Sequence, residues 1–150
     1  MSGIAGYFHL KSGIKTGSTN LTDMLQTMSV EGSCDIRFVF EAPEIAIGGM
    51  VSNSIEDVAC WADGETVTAF QGRITNLDEL AKKLTIPLKD KVRSEAHLVT
   101  RLYRKIGKNT ASVLKGRFCF ALWDKRKRRL FLATDRYGYG FMCYYQAYQQ

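Results

Sequence analysis

Apolar and polar positions change period several times along the chain, and each change predicts an element. Residues 4–10, IAGYFHL, alternate as a buried strand does and lead into a Gly/Ser/Thr-rich loop. The strand pattern starts directly behind Ser2, so packing must tie this segment down if it is not to fray as termini do. In STNLTDMLQTM, residues Leu21, Met24, Leu25 and Met28 fall at helical spacing, with Thr19 or Asn20 as the cap. DIRFVFEAPEIAIGGMV predicts two strands broken at Pro43. DVACWADGETVTAF reads as a hairpin whose Asp63-Gly64 fits a tight primed turn.

Two helical segments follow. NLDELAKKL has Asn76 as its cap, acids in its first turn and lysines later, as the helix dipole favours. SEAHLVTRLYRKIG opens at a Ser94 cap, carries Leu98, Leu102 and Ile106 on one face, and ends at Gly107. The last third returns to period two. RFCFALWD sets Phe118, Phe120 and Leu122 against Cys119, Ala121 and Trp123; RLFLATDR pairs with it, and GFMCYYQAY predicts a further strand. Strands, then helices, then strands indicate an α+β domain with largely antiparallel sheets, without repeats or an internal linker.

Composition changes the picture only in places. The 150 residues are 45% hydrophobic and 24% charged, which suits one globular domain spanning 1–150. No apolar run reaches the ~18 residues that a membrane span requires. Cys34, Cys60, Cys119 and Cys143 form no CxxC pair and are expected to be reduced core thiols of a cytoplasmic protein. With only His9 and His97 besides, no metal site is expected. The net charge of +6 is divided unevenly: residues 1–80 hold 4 basic and 11 acidic side chains, residues 81–150 hold 17 and 4. Such polarity could orient a partner or attract a polyanion. The basic run KRKRR at 125–129 sits between two apolar strands and reads as a solvated turn, since no aromatic platform interleaves with it. Nucleic acid is therefore not an expected partner.

In order, these segments resemble the N-terminal glutaminase domain of asparagine-synthetase-like proteins, a class II glutamine amidotransferase within the N-terminal-nucleophile hydrolases. The family opens Met-Cys-Gly-Ile-x-Gly, and this chain reads MSGIAGYF. Its Asn-Gly-Glu-Ile-Tyr-Asn motif with a following Glu-Leu helix is similar to QGRITNLDEL at 71–80. Its Ser-Asp segment is similar to SEAHLVTRLYRKIG, and its Leu-x-Gly-x-Phe-Ala-Phe-Ala-Leu-Trp-Asp strand to LKGRFCFALWD at 114–124. Its Arg-Asp-Arg-x-Gly turn and Leu-Tyr-Tyr strand are similar to TDRYGYGFMCYY. The resemblance implies a four-layer αββα sandwich with mainly antiparallel sheets, in which the strand over Ile4–Leu10 is central in its sheet rather than at an edge.

It also implies a site. In the family, residue 2 becomes N-terminal when methionine is removed; its side chain is the nucleophile and its own α-amino group the base. An Asn side chain and a Gly amide of the central motif form the oxyanion hole. A carboxylate binds the substrate ammonium, and an arginine clamps its carboxylate. Here the nucleophile position is Ser2, and the oxyanion-hole positions are Gln71 and Gly72. Arg73 stands at the motif's glutamate and Glu95 at the substrate-binding aspartate. The clamping arginine would fall in IAIGGMVSNSI, residues 45–55, which contains none. A serine hydroxyl is far less nucleophilic than a thiol, and loss of an oxyanion donor costs roughly 2.7–4 kcal/mol.

These departures imply a degenerate amidotransferase domain in which glutamine binding is not expected. Its expected role is a non-catalytic interaction or regulatory one toward a synthetase-like or ligase-like, amide-forming partner. The alternative is an active glutaminase that passes ammonia from glutamine to an ATP-dependent synthetase, with Ser2 as nucleophile or as an engineered replacement of Cys. Neither reading requires a cofactor, and self-association is left open. No Ser-Gly-Gly-x-Asp-Ser loop occurs in the 150 residues. A synthetase domain is therefore expected to be absent, the chain being either a piece of a longer protein or a stand-alone unit.

Overall fold

Three apolar layers hold the molecule, and the alternation of each strand decides which layer a side chain enters. The structure is a computed structural model that describes residues 2–9, 18–29, 35–51, 58–83, 85 and 95–145. Its elements run β1 (Gly3–Phe8), α1 (Ser18–Thr27), β2 (Asp35–Ala42), β3 (Ile45–Val51), β4 (Val58–Ala62) and β5 (Thr66–Ile74). Then come α2 (Leu77–Lys83), α3 (Glu95–Ile106), a 3-10 turn (Gly107–Asn109), α4 (Thr110–Val113), β6 (Gly116–Asp124) and β7 (Arg129–Thr134). One antiparallel sheet has the order β1-β3-β2 and the other β4-β5-β6-β7.

The outer layer on the first sheet packs Leu21 and Leu25 of α1 against Ala46 and Met50 of β3. Between the sheets lie Ile45 and Ile47 from one side and Val67, Ala69 and Trp123 from the other, with Ile4, Phe8 and Phe40 beside them. On the far face of the second sheet, Phe70, Phe118, Phe120 and Leu122 meet Leu98, Val99, Leu102 and Tyr103 of α3. Helix, sheet, sheet, helix is the expected αββα arrangement. The period-two split of β6 is as predicted: its phenylalanines face α3 and Trp123 faces the other sheet.

Several expectations need correction. Strand β1 is not central: among the described residues it is an edge strand paired only with β3. The centre belongs to β3, buried at every position from Ile45 to Met50, because α1 covers one face and the second sheet the other. Helix α1 begins at Ser18, so Thr19 and Asn20 lie within its first turn. The Asp63-Gly64 connection is not a primed turn, for Gly64 is absent from the positive-φ glycines of the described residues. Asp63 builds it instead, its Oδ1 accepting from the backbone N–H groups of Glu65 and Thr66 at 2.9 Å each. Asn76 does not cap α2 with its side chain: Nδ2 donates to Val113 O at 3.0 Å and Oδ1 accepts from Lys115 N at 2.9 Å. It ties the start of α2 to the approach of β6. No strand forms over residues 141–145, and Phe141, Tyr144 and Tyr145 are exposed. Cys119 is buried and Cys60 half-buried, but Cys143 is exposed and so is no core thiol. Ser94, Leu10 and Cys34 lie outside the described residues.

The basic run behaves as a turn, with partners inside the fold. Arg126 pairs with Glu65 at 2.5 Å, Lys127 with Asp124 at 3.5 Å, and Lys125 Nζ donates to Asp63 O at 3.4 Å. Arg104 of α3 adds a 2.7 Å bridge to Asp63. Acids from the acidic half of the sequence thus meet bases from the basic half where two hairpin turns lie side by side. No helix among the described residues is long and apolar enough to cross a membrane.

Candidate active site

Strands β5 and β6, together with the residue before β1, place polar groups at one end of the layer between the sheets. Ser2 precedes β1 by one residue and shares the parity of Ile4 and Phe8, which face the second sheet. It is only 3% exposed. On β5, Val67 and Ala69 face the first sheet, and Gln71 continues their parity. On β6, Trp123 marks the same face, and Cys119 lies two pleats along it, in register with Gln71. These positions meet. Gln71 Nε2 donates to the Ser2 carbonyl oxygen at 2.6 Å, and the Cys119 thiol donates to Gln71 Oε1 at 3.6 Å.

Gly72 follows with φ +109°, in the region where only glycine is at ease. A Cβ there would collide with the carbonyl oxygen of Arg117 across the β5–β6 ladder, so the strands approach too closely for any side chain. Arg73 comes next and is exposed, its Cα in register with Arg117. Arg117 in turn lies over the ring of Tyr139, 5.7 Å from guanidinium to centroid.

Glu95 opens α3 and is half-buried. That helix covers the face of the second sheet opposite to the one that carries Gln71. The five predicted site residues therefore divide: Ser2 and Gln71 touch, Gly72 shapes the strand beside them, Arg73 is at the surface, and Glu95 begins the helical layer. Of IAIGGMVSNSI, residues 45–51 form the central strand β3 and the remainder lies outside the described residues.

Two residues of this region escaped the sequence reading. Cys119 was legible only as an alternating strand position; its role as donor to Gln71 depends on the register of β5 and β6. Asp135, just after β7, is 5% exposed and organises the loop that follows. Its Oδ1 accepts from Tyr137 N at 2.9 Å and Tyr139 N at 3.2 Å; its Oδ2 accepts from Gly140 N at 2.7 Å and Phe118 N at 3.3 Å. Burial pushes this carboxyl's pKa up, but the four N–H donors outweigh it and hold the group below the ordinary carboxylate range. The signal was an Asp followed by two glycines in TDRYGYG. Gly140 comes so close to Phe118 O that a Cβ would strike it, which presses the loop against the residue in register with Gly72.

Gln71 thus brings a carboxamide to the Ser2 backbone carbonyl, with the Cys119 thiol against the amide oxygen. Cys60, elsewhere between the sheets, has its thiol pushed up to about 11 by burial, so it is protonated at neutral pH. Among the described residues no group of three or more His, Cys, Asp or Glu side chains could hold a metal ion.

Comparison with known proteins fits this architecture. The family model described as "Glutamine amidotransferase domain" matches residues 49–150. The chain is 26% identical over 146 residues to asparagine synthetase [glutamine-hydrolyzing] 3 of Bacillus subtilis, covering 92% of this chain and 24% of that protein. It is 34% identical over 76 residues to asparagine synthetase [glutamine-hydrolyzing] 2 of the same organism, covering 51% of this chain and 10% of that protein. A shorter match, 39% identical over 56 residues, joins it to Amidase chry2 of Gibberella zeae, covering 37% of this chain and 8% of that protein. The chain thus spans a quarter or less of the length of these relatives. On the family match and the two-sheet fold, this chain belongs to the glutamine amidotransferase domain family, in the form of the N-terminal domain of asparagine-synthetase-like proteins.

Proposed function

We propose that this domain keeps the amidotransferase fold without hydrolysing glutamine, and acts as a non-catalytic interaction or regulatory unit toward an amide-forming, synthetase-like partner. The observation that carries the reading is the 2.6 Å bond from Gln71 Nε2 to the Ser2 carbonyl oxygen. The resemblance assigns position 71 to oxyanion stabilisation, yet this side chain directs an N–H at the protein's own backbone. Catalytic donors must aim at the place where charge develops, so a donor engaged with residue 2 itself is poorly placed for that work. The serine at position 2 and the exposed arginine at 73 support the same reading. It also takes residues 1–150 as one domain of a larger assembly.

Glutamine tests it directly. A ligand at 100 times its Kd adds about 2.7 kcal/mol of stability, a plain shift in a melting curve. With Met1 removed, millimolar glutamine is expected to leave the melting temperature unchanged and to yield no glutamate. Glutamate formation that disappears in Ser2→Ala would establish the active glutaminase instead.

A further inference from the structure

The carboxamide beside Ser2 belongs to the chain itself. Resting on the proposed function, we infer that the space next to Ser2 is a primary-carboxamide subsite that Gln71 fills from within, so that no free amide can enter it. A primary carboxamide offers one kind of donor and one kind of acceptor, and both find complements here. The nitrogen meets the Ser2 carbonyl oxygen at 2.6 Å and the oxygen meets the Cys119 thiol at 3.6 Å. One complement directly precedes β1 of the first sheet and the other lies on β6 of the second, and Ser2 and Cys119 are both buried. Gln71 is not a stray surface side chain reaching in: it is in register with Val58 on one side and Cys119 on the other, within a nine-residue strand.

Length matters. The resemblance expects asparagine at this position; glutamine adds one methylene, which extends the reach of the amide by over ~1 Å. The functional group that sits against residue 2 is also the one that a glutamine substrate would have to present there. A substrate would need to displace a side chain tethered to the sheet and leave its polar atoms to find new partners. Occupation of this space by Gln71 does not depend on the nucleophile's identity.

The test empties the subsite and refills it. In Gln71→Ala the atoms removed correspond to acetamide, so acetamide should restore both hydrogen bonds. The expected result is a saturable rise of a few degrees in the variant's melting temperature, absent from the native chain and absent with N,N-dimethylacetamide, which has no N–H. Gln71→Leu, which keeps the space filled without polar atoms, should show no response to acetamide. If Gln71→Ala does not fold alone, refolding in acetamide should recover it. An equal response of variant and native chain, no response in the variant, or no rescue while Gln71→Leu folds overturns the inference. Such a failure leaves the proposed function standing, because glutamate release by the native chain is measured separately.

Discussion

Tyr103, in the last turn of α3, donates its phenolic hydrogen to Asp124 Oδ2 at the end of β6 across 3.0 Å, and both residues are buried. Asp124 also accepts from Lys127 N at 3.0 Å, which starts the β6–β7 turn. Helix, strand and turn are joined at one carboxylate.

Removing the hydroxyl should therefore be costly. Tyr103→Phe is expected to lose about 1.5–3 kcal/mol at neutral pH, the range for a hydrogen bond to a charged group. Burial pushes the Asp124 carboxyl's pKa up, but its bonds to Lys127 N and Tyr103 and the Lys127 ammonium hold it below its ordinary 3.8. A depressed carboxyl stabilises the fold above its unfolded value and loses that contribution as pH falls through the folded one. The gap between Tyr103→Phe and the native chain should narrow when urea titrations are repeated below pH 4.

Asp135 makes the same kind of argument with four backbone donors. Asp135→Asn replaces one acceptor oxygen with an NH₂ group facing N–H donors, so about 3 kcal/mol should be lost. Because the native carboxyl is held below 3.8, its contribution is present at neutral pH and fades on acidification. The gap between the two proteins' melting temperatures should begin to narrow as pH falls from 7 to below 3.8. A gap that stays constant across that range would mean that Asp135 acts through shape alone.

Gly72 should tolerate nothing larger. Gly72→Ala combines a φ of +109° with a collision against Arg117 O, and strain of this kind costs on the order of 1–3 kcal/mol before the clash is counted. Gly64, with nothing near its Cβ position, is the internal control: Gly64→Ala should change stability by less than about 1 kcal/mol.

Restoring a thiol at position 2 should not restore hydrolysis. Ser2→Cys with Met1 removed still needs glutamine held in attack geometry, and positioning accounts for about 7–11 kcal/mol of such barriers. In the chain that keeps Met1, where residue 2 is 3% exposed, the Ser2→Cys thiol should also alkylate more slowly than the exposed Cys143. Ammonia release by this single variant, saturable in glutamine, would falsify the degenerate-pocket reading.

The periodicity of the chain determined most elements and their faces on its own. Phe118, Phe120 and Leu122 against Cys119 and Trp123 is a statement about alternation, and a pleated strand has only two sides. The α3 face is legible for the same reason, since Leu98 and Leu102 recur at the helical period. Gly72 is legible as a glycine in a strand, which marks a close backbone approach. Periodicity does not say which neighbour a face will meet. The edge position of β1 followed from how completely β3 is buried, and that depends on α1 and on the second sheet. Asn76 and Asp63 were legible as polar turn residues; whether each bonded its own helix or turn, or a segment 37 residues away, was decided by what folding brought alongside. The contact between Gln71 and Ser2 joins residues 69 apart in sequence. Local pattern supplies a side chain's direction, whereas its partner is set by sheet order and register, and only the packed tertiary structure contains those.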